Sequence, residues 1–379
     1  MTGTNTEARL ARLRGRALPV RHNARTIAAL ASNPGCARRA VLDAAGADKQ
    51  RLAAYAGFPA PFGSSRFAIT RGNAFEAQVK ASGAAELLRL LREHLSLPIP
   101  EASYDDLSEV GGNAGLEMRH ARTCSLLARA VTEPAEAGTM FDHPLLTLQV
   151  GGRAAYLEPD LIAFQINGQF RVIEIKSFAI IDGRGDSDKV AAAAVQSAVY
   201  VLALRQALAG LEIRPEAVAD ETILVCPENF ASRPVVASLD VRKQLTVLRR
   251  QLSRLARIED LLAELPPGLT FDLDTDEAGV PRRRPADLAG ALRQVEARYA
   301  PECLNTCEMC LFCRDEARGD TASLGRDARD ELGGVEQVAT VLSLARAAAV
   351  PPPGSELAEA ADLLRTAARL RAEALGEAI

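Results

Sequence analysis

Leu157-Glu158-Pro159-Asp160, the apolar run Leu161–Ile166, Asn167-Gly168, and then Gln169-Phe170-Arg171-Val172-Ile173-Glu174-Ile175-Lys176 form the segment on which the fold turns. Two apolar runs on either side of Asn-Gly read as a β-hairpin. Alternate residues of a strand share a face, so Glu174 and Lys176 point the same way. Register then decides where Asp160 falls. A two-residue Asn167-Gly168 loop puts Asp160 opposite Ile175, on the face away from Glu174. A three-residue loop, Ile166-Asn167-Gly168, pairs Asp160 with Glu174 and Glu158 with Lys176, and glycine suits a left-handed last position. The second register is the expected one. Facing carboxylates repel unless a cation lies between them, and Lys176 offsets only part of that charge. Two carboxylates and an ammonium at adjoining strand ends can hold a divalent cation and aim water at a phosphodiester.

Outward from the hairpin, the loop Asp182–Asp186 leads into a long helix reaching about Leu208, on which Gln196 and Tyr200 share a face. Strands are expected at Leu145–Val150 and Arg153–Ile166 around a Gly151-Gly152 turn, and at Thr222–Cys226, which would close the sheet. Upstream, Asn73 in Arg71-Gly-Asn-Ala-Phe-Glu76 reads as the cap of a helix to about Ala81, followed by a helix from Ala84 to about Leu95. From Val236 to Leu262 the pattern is helical and arginine-rich, Pro266 to Pro285 reads as a loop, and helices fill the tail. The implied organisation is a helical lead-in (1–62) ending in the Pro59/Pro61/Gly63 breakers, an α/β core with a mixed sheet flanked by helices (63–235), a helical segment with a cysteine run (236–318), and a helical tail (319–379).

Composition narrows the function classes. Net charge is −4, so any nucleic-acid surface must be a local basic patch. Tryptophan is absent and aromatics are few, which argues against a surface built mainly on base stacking. The arginine-rich amino terminus lacks the apolar core of a signal peptide, and the longest apolar run, Val190–Leu204, is broken by Gln196 and Ser197 and is short for a bilayer. A cytoplasmic protein without a membrane partner is expected.

Cys303, Cys307, Cys310 and Cys313 crowd into one short run, while Cys36 stands alone near the start in Asn33-Pro-Gly-Cys-Ala-Arg38. A local cluster in a chain otherwise sparse in cysteine reads as metal or iron–sulfur ligation rather than a disulfide framework. Structural zinc usually takes two cysteine knuckles separated by a longer spacer, which this run lacks; zinc and metal-free thiols stay as alternatives. Cys124 and Cys226 read as core residues.

The order Cys36, Glu76, Asp160, Glu174-x-Lys176, Gln196-x-x-x-Tyr200 and late cysteines resembles the RecB-like branch of the PD-(D/E)xK nuclease superfamily, over roughly residues 36 to 313. It most resembles the iron–sulfur members, such as the AddB nuclease domain and the CRISPR-adaptation nucleases. The resemblance implies a restriction-endonuclease-like fold and Mg2+- or Mn2+-dependent hydrolysis of DNA. Asp160, Glu174 and the Ile175 carbonyl would ligate the metal, and Glu76 would complete the site directly or through water. Lys176 would orient the nucleophile, and Gln196 and Tyr200 would position the active site and the strand. It also implies a [4Fe–4S] cluster held by Cys36, Cys303, Cys307 and Cys313, with Cys310 as the alternative ligand, stapling the two ends of the chain together. The late spacing, Cys303-x3-Cys307-x5-Cys313, departs from the family's C-x2-C-x5-C, and no clear counterpart is read for the histidine that many members carry in the helix before the catalytic aspartate; His143 reads as structural. Partners would be DNA and helicase or other repair or defence proteins. A nuclease fold kept only for binding or scaffolding is the alternative class. Cys303-x3-Cys307-x2-Cys310 also fits the radical S-adenosylmethionine signature, but no barrel-sized segment follows it.

Overall fold

The computed structural model describes residues 2–60, 66–95, 102–110, 115–132, 138–166, 168–229 and 231–376. The chain divides into two units: Met1–Ala17, Cys36–Phe62 and Leu265–Ile379 form one, Leu18–Gly35 and Gly63–Glu264 the other. Residues 18–35 and 236–264 therefore pack with the α/β segment rather than with the lead-in or the cysteine run. Pro61 and Gly63 lie outside the described residues.

The second unit is an α/β structure. Its strands are β1 (Ala102–Asp106), β2 (Gly138–Asp142), β3 (Leu146–Val150), β4 (Arg153–Leu157), β5 (Leu161–Ile166), β6 (Gln169–Ile175), β7 (Glu221–Pro227) and β8 (Pro234–Asp240). Six form a sheet in the order β1-β2-β5-β6-β7-β8, and β3 with β4 makes a separate ribbon. The sheet is mixed: β1/β2 and β6/β7 run parallel, the other neighbours antiparallel.

The expected single strand Arg153–Ile166 is two strands. Glu158-Pro159-Asp160 separates them, and proline, with no N–H for a ladder, marks where the chain leaves the ribbon for the main sheet. Two further expectations are corrected. Thr222–Cys226 does not close the sheet, because Pro234–Asp240, read as the start of a helix, pairs along the whole of β7 as an edge strand. Its run Val235-Val236 favours a pleated surface, and proline at its first position is where a sheet tolerates one. Helix resumes at Arg242–Leu252 and Ile258–Glu264. Asn73 is not a cap: the helix begins at Arg66 and runs to Leu95, interrupted where Ala81–Ala84 leave helical geometry.

The pleat sorts side chains between two helices. Leu161, Ile173, Ile175, Ile223 and Val225 pack with Phe75, Val79, Leu87 and Leu91 of the helix Arg66–Leu95. The alternate residues Leu224 and Cys226 pack with Ala193 of the helix Ser187–Ala209. Asp186 caps that helix, its carboxylate accepting from the amides of Asp188 and Lys189. Ser187–Ala209 has the length and apolarity to cross a bilayer, yet half of its most apolar window is buried, and it packs against β3, β6 and neighbouring helices.

The first unit is helical. Thr2–Arg14, Ala37–Ala45 and Lys49–Tyr55 precede, and Pro285–Arg293, Cys303–Thr306, Cys310–Glu316, Arg326–Glu331, Val338–Ala345 and Glu356–Leu375 follow the excursion into the other unit. Phe271 donates its amide to Leu13 O and Arg9 reaches Leu265 O, so amino- and carboxy-terminal pieces share one fold.

Candidate functional site

Between β5 and β6 the pairs run Leu161↔Ile173, Ile162↔Val172 and Ala163↔Arg171. Continued by one residue, that register would set Asp160, just before β5, against Glu174, and the Ile175 amide donates to the Asp160 carboxylate. The route to that register differs from the expected loop. Ile166 pairs with Gln169, which leaves two residues in the turn, and the ladder shifts between Ala163 and Ile166, where two residues of β5 face one of β6. A bulge, not a longer loop, supplies the offset. Gly168 is left-handed at φ +71°, as expected; Asn167 lies outside the described residues.

Glu174 is fully buried, and Lys176 donates to its Oε1. Its Oε2 is buried with no hydrogen-bond partner. Asp160 accepts the Ile175 amide at Oδ2, 2.7 Å away. Burial and the neighbouring Asp160 push the Glu174 carboxyl up to about 8, and Asp160 is raised mainly by burial too. Lys176, with about a quarter of its side chain exposed, is held charged by Glu174 and Asp160 against the opposing effect of burial. Tyr200 is buried, its hydroxyl held protonated by burial and by the Glu174 and Asp160 charges. Gln196 Nε2 lies 3.4 Å from that hydroxyl. Five sequence-selected residues thus gather on the face of the sheet that carries the helix Ser187–Ala209.

Glu76 arrives from the opposite face. It acts on Asp160, Glu174 and Lys176 through charge, but its Oε1 is held by Lys80 at 2.5 Å. Lys80 also pairs with Asp142 at 2.6 Å. Among the described residues, the group whose potential ligand atoms converge within 4.8 Å is Asp106, Asp142 and His143, not Glu76, Asp160 and Glu174. His143 Nδ1 lies 3.0 Å from Asp142, its Nε2 lies 3.8 Å from Glu76, and Tyr104 donates to Asp142. Glu76 apart, the sequence reading weighed only His143 of these residues, as structural. Lys80 falls one helical turn after Glu76, the only pattern that marks it. Asp142-His143-Pro144 resembles an ordinary strand end.

His143 is left-handed at φ +49°. Arg119 clamps it, donating to His143 O at 2.6 and 3.0 Å, and also pairs with Glu158 at 2.6 Å. One guanidinium therefore ties the segment before Asp160 to the strand end that carries Asp142.

In the helical unit Cys36, Cys303, Cys307, Cys310 and Cys313 are all buried and unbridged. Cys313 feels the charge of Cys36, Cys307 that of Cys313, and Cys310 that of Cys303. Burial pushes the Cys307 thiol up to about 12 and Cys313 to about 11. Two buried arginines face them. Arg38 lies 3.2 Å from Cys313 Sγ and makes a bidentate pair with Glu316; Arg39 acts on Cys36 and Cys307 and donates to Thr306 O at 2.7 Å.

No family model matches this chain, and no curated protein does. A solved structure described as "Crystal structure of SSO0001" aligns with 66% of this chain and 85% of its own at 15% identity, with a TM-score of 0.22, too low to indicate a shared fold.

Proposed function

We propose that the chain is a Mg2+- or Mn2+-dependent DNA nuclease of the PD-(D/E)xK type, with an iron–sulfur cluster in its helical unit. The observation that carries the reading is Glu174 Oε2, a buried carboxylate oxygen with no partner, in a residue set against a second carboxylate beside a lysine. Such an atom costs free energy until a cation meets it. Oxygen donors from Asp160, Glu174 and the Ile175 carbonyl suit a hard divalent ion.

A bound ion supplies charge neutralisation at the scissile phosphate and a lowered pKa for water. The chain's own groups do the rest. The Ile175 amide fixes one Asp160 oxygen and Lys176 fixes one Glu174 oxygen, and the unpartnered Glu174 Oε2, with Asp160, would hold the ion. Lys176 stays protonated and partly exposed, fit to orient water and offset developing charge. Gln196 and the protonated Tyr200 hydroxyl hold the wall of the site. Glu76, tethered by Lys80, acts at longer range or through water. Sequence-independent backbone contact is the expected mode of DNA binding, in repair, recombination or phage defence, alongside a helicase or other defence proteins. The test is incubation of purified protein with single- and double-stranded DNA. Cleavage is expected with Mg2+ or Mn2+ and none with EDTA; intact DNA under every metal condition rejects the assignment.

The raised carboxyls give a second test. Without metal, the folded chain keeps a proton on Glu174 up to about 8, whereas the unfolded chain releases it near 4.5. Folded stability therefore falls as pH rises through that window. Metal competes with the proton, so the Mg2+-induced gain in Tm should grow as pH rises toward 8. A gain that shrinks over that range would contradict metal binding at this pair.

For the cysteines, a ligand must be deprotonated, and Arg38 and Arg39 supply the compensating positive charge. Five buried, unbridged cysteines in one unit are compatible with zinc or with an iron–sulfur centre, and the iron–sulfur reading is taken from the order of the cysteines along the chain. The ligands assigned are Cys36, Cys303, Cys307 and Cys313.

A further inference from the structure

We propose that the helical unit carries a second nucleic-acid site, a pocket that takes one unpaired nucleotide of a single DNA strand; this rests on the nuclease reading only in choosing DNA as the polymer. A cavity of about 530 Å3 is lined by Phe58, Leu311, Ser323, Leu324, Arg314 and Arg318, with Asp315 and Gly319 completing the wall. Its size falls within the roughly 300–1,000 Å3 of small-ligand sites.

The lining has two chemical halves. Phe58 is set edge-on against Phe312, with ring centroids 5.4 Å apart, and Phe312 is itself fully buried beneath Arg38 and Arg293. Phe58 is thereby a braced, partly exposed aromatic wall. Leu311 and the half-exposed Leu324 extend the apolar side. A base needs such a surface to stack or pack against.

The other half is cationic. Arg314 and Arg318 are exposed, Arg314 on the last turn of the helix Cys310–Glu316 and Arg318 in the turn that follows it. Two nearby carboxylates are spent elsewhere, and the third, Asp315, neutralises Arg318 within the cavity wall. Glu316 turns to Arg38, Asp320 caps the Ala322 amide at 2.8 Å, and Asp315 pairs with Arg318 at 2.7 Å. Among the described residues no carboxylate makes an ion pair with Arg314, so the cavity keeps one uncompensated guanidinium. Guanidinium is suited to phosphate oxygens. Ser323 donates to Asp320 O at 2.6 Å, which leaves its lone pairs free to accept from a base amino group. A phosphate beside a flat heterocycle satisfies both halves at once, and only an unpaired nucleotide exposes the face of its base.

The test measures binding of a fluorescent single-stranded 12-mer to full-length protein in EDTA, where no metal-dependent cleavage occurs. Loss of both guanidiniums in Arg314→Ala/Arg318→Ala is expected to weaken binding about tenfold or more. The same variant should flatten the salt dependence by roughly 0.7 log units for each phosphate no longer neutralised. Both side chains are exposed, so an unchanged Tm will certify the fold. Equal affinity and equal salt slope in the variant overturn the proposal. AMP is the second arm: AMP binding as tightly as the 12-mer, and abolished in the variant, replaces the strand with a free nucleotide and overturns the strand version. Because cleavage plays no part, failure of the nuclease reading leaves this result readable, and the reverse holds too.

Discussion

Asp160→Ala and Glu174→Ala are each expected to lower metal-dependent DNA cleavage about a thousandfold or more. The metal contributes several kcal/mol of transition-state stabilisation, and each 1.4 kcal/mol is about tenfold in rate. One carboxylate alone holds the ion poorly. Lys176→Ala is expected to fall comparably, because it removes the ammonium that fixes Glu174 Oε1 and leaves a fully buried carboxylate without a partner. Stability separates this reading from general damage to the fold. Asp160→Asn keeps an acceptor for the Ile175 amide and replaces a buried acid beside Glu174 with a neutral amide, so in EDTA it should raise Tm while abolishing cleavage. A destabilised Asp160→Asn, or metal-dependent cleavage that persists in all three alanine variants, sinks the assignment.

That site was legible because its residues lie close in sequence. Asp160, Glu174 and Lys176 occupy one hairpin, and a period-two count decides which face each takes. The count survived a wrong loop: a bulge between Ala163 and Ile166 supplied the residue assigned to the turn. Gln196 and Tyr200 were readable through helical spacing. The Lys80–Asp142–His143 network was not, since it joins a helix to the end of β2, and the spacing of Lys80 from Glu76 does not point to Asp142 or His143. Strands β1 and β2 are each five residues long and lack a strong alternation. β8 was misread because Val236–Leu262 contains a genuine amphipathic helix, whose period masked the seven-residue strand before it. Glu76 was placed on a helix correctly, but which face of the sheet that helix covers is a tertiary fact.

Cys36→Ala is expected to cost the protein its iron and much of its stability. Cys36 is more than 260 residues from Cys303, yet it lies in the same unit and acts electrostatically on Cys313. A cluster bridging them closes a loop that contains the Gly63–Glu264 part of the α/β unit, worth about 5–6 kcal/mol in the chain-entropy model. Its loss also changes the charge balance at Arg39, a buried guanidinium paired with Asp43 and placed to compensate thiolates at Cys36 and Cys307. Breaking such an arrangement on one side typically costs about 3–5 kcal/mol. Cys310→Ala should be milder, because Cys310 is the thiol left over from the assigned set. The measurements are iron per chain after anaerobic purification, the brown colour of the protein, and Tm for both variants beside the parent. Full iron retention in Cys36→Ala with iron loss in Cys310→Ala would move the cluster onto the four late cysteines and end the staple. The carboxylate site would be untouched by that outcome, because Asp160, Glu174 and Lys176 belong to the other unit.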